Sequence, residues 1–223
     1  MQDIQLATEL VIGILALQGA FAEHQEILQK FSGKRKLEVI QVRTPEELKR
    51  CDALIIPGGE STTIALLAKL SGLIEPLRGF IKTKPVWGTC AGAILLSQAV
   101  SNPKKGGQEL LGGVSVKITR NGWGSQVESF EAPLEVEGLR DAHMPFTGVF
   151  IRAPVVMELV QMAREPPIRV ISRLPDSLLP NATSNEGLTE ASTPFDNVHP
   201  ELTDDCRFHE YFVQECVLPS LAL

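Results

Sequence analysis

Cys90 lies in Gly88-Thr89-Cys90-Ala91-Gly92, between an apolar run ending at Val86-Trp87 and the helix-forming run 93–99. A strand, a tight turn with a glycine two residues either side of a nucleophile, then a helix is the cysteine version of the Gly-x-Ser-x-Gly elbow. The glycines let backbone pass close to a strained residue. The free amides at the start of the following helix favour thiolate. The competing reading is a buried structural cysteine, since free cysteine is among the most buried residue types. Far along the chain stands His199-Pro200-Glu201. Proline pushes the residue before it out of the helical region, so an extended His199 is expected, with Glu201 on the same side. Glu201 can then fix the tautomer of the His199 ring and stabilise imidazolium. Nucleophile, base and orienting carboxylate are the parts of an acyl transfer. A lone histidine is more often structural, and His24, His143 and His209 are read as structural or surface residues. A third stretch, Pro57-Gly58-Gly59-Glu60-Ser61-Thr62, offers two glycines whose N–H groups could form an oxyanion hole beside Cys90. A plain glycine turn and helix cap remains the alternative there.

The elements that must position these residues alternate. The continuous apolar run 10–17 reads as a strand buried on both faces, turned by Gln18-Gly19 into a helix over 21–31. A second strand is expected at 37–42. Thr44-Pro45-Glu46-Glu47 then opens a short helix with a capping residue, proline at the first helical position and acids in the first turn. The third strand, 53–56, ends at Pro57-Gly58, and Ser61 or Thr62 is expected to cap a helix to about Leu70. Val86-Trp87 is the fourth strand. Strands alternating with helices in this way predict an α/β fold: a mostly parallel sheet with helices on both faces. Past Gly113 the segments 114–119, 126–130 and 149–151 read as shorter strands, a short antiparallel addition. The stretch 166–198 reads as an atypical loop, rich in Pro, Ser, Thr and Asn and long for a compact domain.

At 223 residues the chain is expected to form a single domain, 1–223, with a full core. The net charge of −6 argues against nucleic-acid or anionic-membrane partners. The basic patches Lys34-Arg35-Lys36 and Lys104-Lys105 read as solvated loops. The four cysteines show neither CxxC nor Cys/His metal spacing, so no metal and no disulfide framework is expected. No basic n-region precedes the apolar run, which is too short for a membrane span. A cytoplasmic protein is expected.

Pro-Gly-Gly-Glu-Ser, Gly-Thr-Cys-Ala-Gly and His-Pro-Glu, in that order, resemble the class I (triad) glutamine amidotransferases. Further motifs narrow the branch: Ala16-Leu-Gln-Gly-Ala20 with Glu23-His24, Arg120-Asn-Gly-Trp-Gly-Ser-Gln126, Ser129-Phe130, Phe150-Ile-Arg-Ala-Pro154 and His199-Pro-Glu-Leu-Thr203. Together they look like the glutaminase subunit of the two-component pyridoxal 5′-phosphate synthase, over roughly residues 11 to 175 and 198 to 213. The resemblance implies hydrolysis of L-glutamine to glutamate and ammonia. Cys90 would be the nucleophile, His199 the proton shuttle and Glu201 its support. It implies an oxyanion hole from Gly58, Gly59 and Ala91, and substrate contacts on Gly59, Glu60, Ser61, Arg120, Ile151 and Arg152. It implies no bound cofactor, pyridoxal phosphate being the pathway product, and a partner synthase subunit that accepts the ammonia.

One stretch departs from that pattern. The family carries two apolar strands before the histidine, whereas residues 192–198 here are polar and proline-bearing. On this ground the imidazole of His199 is expected to hang from a loop, out of hydrogen-bond reach of the Cys90 sulfur. A catalytically impaired docking subunit is therefore the second reading, and a cysteine peptidase or chaperone-like hydrolase on a related elbow fold is the third.

Overall fold

The computed structural model describes residues 9–31, 37–101, 107–120, 129–151, 154–160, 168–174 and 199–221. Its centre is a four-stranded parallel sheet in the order β2-β1-β3-β4, formed by β1 (Leu10–Leu15), β2 (Leu37–Val42), β3 (Ala53–Ile56) and β4 (Val86–Gly88). β1 pairs with β2 from Leu10↔Leu37 to Leu15↔Val42, and β3 with β4 from Leu54↔Val86 to Ile56↔Gly88. All four residues of β3 are buried, as a strand covered on both faces requires. One face packs against a core that includes Leu48, Leu54, Ile56, Ile64, Leu77 and Leu95. The other packs Ile12, Ile14 and Ile55 against Leu28 and the C-terminal Phe212, Val213 and Val217.

The helices follow the expected alternation, with additions. α1 is Phe21–Phe31 and α2 is Pro45–Lys49. α2 has a full capping box: Thr44 accepts from the Glu47 N–H, and the Glu47 carboxylate accepts from the Thr44 N–H. α3 is Ser61–Leu70, and its cap is Glu60 rather than Ser61 or Thr62. The Glu60 carboxylate accepts from the Thr63 N–H at 2.7 Å and from the Thr62 and Thr63 hydroxyls. A carboxylate offers this helix end both acceptors and negative charge. α4, Ile74–Ile81, precedes β4 and lay unread in the sequence. α5 covers only Ala91–Leu96, because Ser97 turns the chain into a strand and its hydroxyl donates to the Ile94 carbonyl at 2.8 Å.

That strand, β5 (Ser97–Ser101), pairs in parallel with β6 (Val114–Thr119), which pairs antiparallel with β9 (Val155–Leu159). β7 (Ser129–Leu134) and β8 (Phe146–Ile151) form an antiparallel ribbon, so the antiparallel addition is present and larger than expected. Of the segment expected to be loop-like, residues 168–174 are described, with a bridge from Ser172 to Val136. Residues 166–167 and 175–198 lie outside the described residues. The chain ends in α6 (Arg207–Tyr211), a π-helical segment Phe212–Val217, and α7 (Leu218–Ser220). No helix among the described residues is long and apolar enough to cross a membrane.

Candidate active site

The carboxyl ends of β1, β3 and β4 lie side by side, and each releases a loop into one crevice, the usual ligand position of an open parallel sheet. After β4 the Thr89 N–H donates to the Ile56 carbonyl at 3.1 Å, which locks the elbow to the end of β3. Cys90 then adopts φ 46°, ψ −103° immediately before α5. A cysteine in that region is strained by about 1–3 kcal/mol, held there by its surroundings. The flanking glycines are required by close approach. A Cβ on Gly92 would sit 2.0 Å from the Ile56 carbonyl oxygen, and one on Gly88 would meet the Gly92 backbone at 2.6 Å. The elbow expected from the glycine spacing is therefore built.

Gly58 closes the second wall. A Cβ there would lie 2.8 Å from His199 Cε1 and 3.4 Å from Cys90 Cβ, so the glycine turn, the imidazole and Cys90 converge on one point. The Gly58 carbonyl accepts from the Ala20 N–H at 3.0 Å, at the mouth of the β1 loop. Ala91 opens α5, where an N–H has no intrahelical acceptor.

His199 is buried at 8% exposure. Its backbone N–H donates to the Val149 carbonyl of β8 at 2.9 Å. Its Nδ1 lies 2.7 Å from Glu201 Oε1, and Nε2 is buried without a hydrogen-bond partner. Burial on its own would lower the His199 pKa. Interactions with Cys90 and Glu201 outweigh it and raise the value to about 10. The expectation of an imidazole hanging free from a loop does not describe this arrangement. Two contacts were not visible in the polar sequence before it: the grip of β8, and the turn that follows. Residues Pro200–Leu202 form a 3₁₀ turn, with the Leu202 N–H on the His199 carbonyl. Glu201 thus reaches the ring through a turn, not through the strand alternation expected.

The residues expected to touch substrate fall around the same crevice. Glu60 Oε1 accepts from Arg120 Nη2 at 2.9 Å, and Arg120 Nη1 donates to Gln108 Oε1 at 2.9 Å. Ser61 Oγ donates to the same Gln108 oxygen at 3.2 Å, and Gln18 Oε1 accepts from the Glu60 N–H at 2.8 Å. Gly59, between Gly58 and Glu60, is thus held from both sides. Ile151 ends β8, two residues beyond the carbonyl that holds His199, and is 36% exposed. Arg152 lies outside the described residues, as do positions 121–126 of the Arg120 motif.

Sequence reasoning missed Gln18 and Gln108, which tie the glycine turn to Arg120, and it read His24 and His209 as structural or surface residues. Both are buried, which fits the structural reading, and His24 lies behind Glu201, next to Thr89 of the elbow. Among the described residues no group of three or more His, Cys, Asp or Glu side chains could hold a metal.

The chain matches the model of the SNO glutamine amidotransferase family over residues 14–218. It is 45% identical over 205 residues to the pyridoxal 5′-phosphate synthase subunit PdxT of Roseiflexus sp. (strain RS-1), spanning 92% of this chain and 99% of that protein. To the subunit of the same name from Carboxydothermus hydrogenoformans it is 40% identical over 205 residues, 92% of this chain and 96% of the relative. A solved crystal structure of a glutamine amidotransferase matches it with a TM-score of 0.70 at 40% identity, over 91% of this chain and 97% of that one.

Proposed function

The chain belongs to the SNO glutamine amidotransferase family, and on that premise we propose that Cys90, His199 and Glu201 hydrolyse L-glutamine and that the ammonia passes to a pyridoxal 5′-phosphate synthase subunit. The observation that carries the reading is the buried 2.7 Å contact between His199 Nδ1 and Glu201, with the free Nε2 side of the ring at a strained Cys90. In this scheme the Cys90 sulfur attacks the carboxamide carbon of glutamine. The N–H groups of the Gly58-Gly59 turn and of Ala91 receive the oxyanion. His199, an imidazolium at neutral pH by its raised pKa, gives its proton to the departing nitrogen, and ammonia leaves. Water then attacks the thioester with His199 as base, releasing glutamate and restoring the thiol.

Arg120 suits the substrate carboxylate, with Glu60 and Gln108 orienting its guanidinium. Gly59, Ser61, Ile151 and Arg152 complete the substrate contacts in this reading. The partner is inferred from the relatives, which are named as subunits of pyridoxal 5′-phosphate synthase. No cofactor enters the hydrolysis. The four cysteines are free, in keeping with a reducing compartment such as the cytoplasm. The impaired docking reading draws no support from the site, since His199 is both anchored and oriented. The deciding experiment is glutamate release from glutamine by the purified chain, with and without a synthase subunit. Turnover in the pair that vanishes in Cys90→Ser is expected; no turnover in the pair would overturn the proposal.

A further inference from the structure

Behind the triad lies a second group of titratable side chains that the reaction above does not use. His24 on α1 and His209 on α6 are both at 0% exposure. His24 Nδ1 lies 2.9 Å from His209 Nε2. His24 Nε2 lies 3.3 Å from Thr89 Oγ1 and 3.6 Å from Glu201 Oε2. Glu201 Oε1 is taken by His199, while Oε2 is buried without a hydrogen bond. The titratable groups facing His24 are thus His209 from α6, and His199 and Glu201 from the turn at 199–202. Thr89 faces it from the elbow.

The protons on this pair can be placed. Burial first, then the charges of His209 and His199, hold His24 well below the usual histidine range, and burial lowers His209 to about 4. Both rings are therefore neutral at pH 7, and two tautomeric arrangements are open to them. With the His24 proton on Nδ1, a lone pair on Nε2 would face the Glu201 carboxylate. His209 Nδ1–H would then be a buried donor with no acceptor, since that nitrogen has no partner. With the proton on Nε2, an N–H points between Thr89 and Glu201, and His209 donates its own Nε2–H to His24 Nδ1. Only a lone pair on His209 Nδ1 is then left over. The second arrangement wins: it replaces a repulsion by an attraction in a buried site and leaves no orphaned N–H. At 3.6 Å the contact with Glu201 is one of charge and dipole, beyond hydrogen-bond range.

We infer that His24 is a positioning residue for the hydrolytic centre: with its tautomer fixed by His209, it presents Nε2–H to Glu201 and Thr89. It thereby sets the carboxylate that orients His199 and ties it to the elbow that carries Cys90. The inference rests on the hydrolytic reading of those three residues.

NMR of histidine-labelled chain, resolving the ¹⁵N shifts of each ring, reads the tautomers without a substitution or a partner. The expected result near pH 7 is Nε2–H on both His24 and His209. An Nδ1–H tautomer on His24 overturns the inference. The same spectra follow the titration of His199. In His24→Phe, which keeps volume and removes both nitrogens, that titration should move down by about one unit. In His24→Gln, whose amide can restore a donor near the Nε2 position, at least half of the shift should return. A folded His24→Phe whose His199 titrates as in the wild type also overturns the inference. If His24→Phe does not fold, the tautomers of the unaltered chain decide alone. Correct tautomers without glutamine hydrolysis would count against the reaction; hydrolysis with the wrong tautomer would remove only the positioning role.

Discussion

The Gly58 carbonyl accepts the Ala20 N–H at 3.0 Å, which fixes the orientation of the peptide between Gly58 and Gly59. Rotating that peptide would cost this hydrogen bond, about 1 kcal/mol, and glycine on both sides allows either orientation. A docked synthase subunit could supply that much easily. The chain alone is therefore expected to be almost inert as a glutaminase and to be switched on by its synthase. Equal turnover with and without the partner would contradict the switch.

Cys90 should be the thiol that a glutamine-analogue electrophile labels first. Cys51 is buried and its thiol is pushed up to about 12, with burial the main cause. Burial also raises Cys206, and Cys216, though exposed, is raised by partial desolvation and the neighbouring Glu215 charge. Peptide mapping that finds any of these three labelled ahead of Cys90 would remove the nucleophile assignment. His199→Gln should lower turnover of the pair by about 10²–10⁴-fold, the usual worth of a general acid–base group.

The histidines make opposite contributions to stability against pH. His199 binds its proton more tightly in the fold, at about 10 against 6.5 unfolded. Its contribution is complete below pH 6.5 and lost as pH rises through about 10. His209, lowered to about 4, and His24, also lowered, must stay neutral in the fold, so stability falls as pH drops below 6.5 toward 4. Denaturant melts across pH 4 to 10 should show a maximum near neutrality. His199→Gln should flatten the alkaline side alone.

Two glycine substitutions should separate. In Gly92→Ala the new Cβ meets the Ile56 carbonyl oxygen at 2.0 Å, backbone against backbone. The elbow must shift, at a cost of about 3 kcal/mol or more. Gly79 is exposed in α4 with nothing within 4 Å of its Cβ position, so Gly79→Ala should stabilise by about 0.5–1 kcal/mol. Thermal melts of the two variants decide this, and equal effects would refute the packing described for the elbow.

Arg207 is a buried clamp. Its guanidinium pairs with Asp205 at 2.7 Å and donates to the carbonyls of Arg140, Asp141, Met144 and Pro145. Arg207→Ala should cost about 3 kcal/mol by stranding these acceptors, and Arg207→Lys should recover little of it, since an ammonium cannot reproduce the planar fork. Full recovery by lysine in a denaturation series would show that charge alone matters there.

The elbow and the parallel sheet were legible because their causes are local. Apolar runs such as 10–17 and 53–56 can only be buried on both faces, and glycines spaced about Cys90 answer a steric need. α4 was not legible, since Pro76 in its first turn and Gly79 in its interior read as breakers that tertiary packing overrides. The end of α5 was hidden by helix formers up to Ala99, where pairing with β6 wins from Ser97 onward. Glu60 was assigned to substrate, and its second duty as the α3 cap lies in a carboxylate reaching three residues on. The role of His24 could not be read at all: its partner His209 lies 185 residues away, joined only by the fold.

The backbone at Cys90 sets the residue proposed as nucleophile against the fold that carries it. A left-handed φ of 46° suits glycine far better than cysteine. If Cys90 is the nucleophile, a chain freed from the need to hydrolyse glutamine would thus gain stability by exchanging it for glycine, and it could take that step in a single substitution. Retention of cysteine here is a recurring cost, met only while its chemistry is wanted.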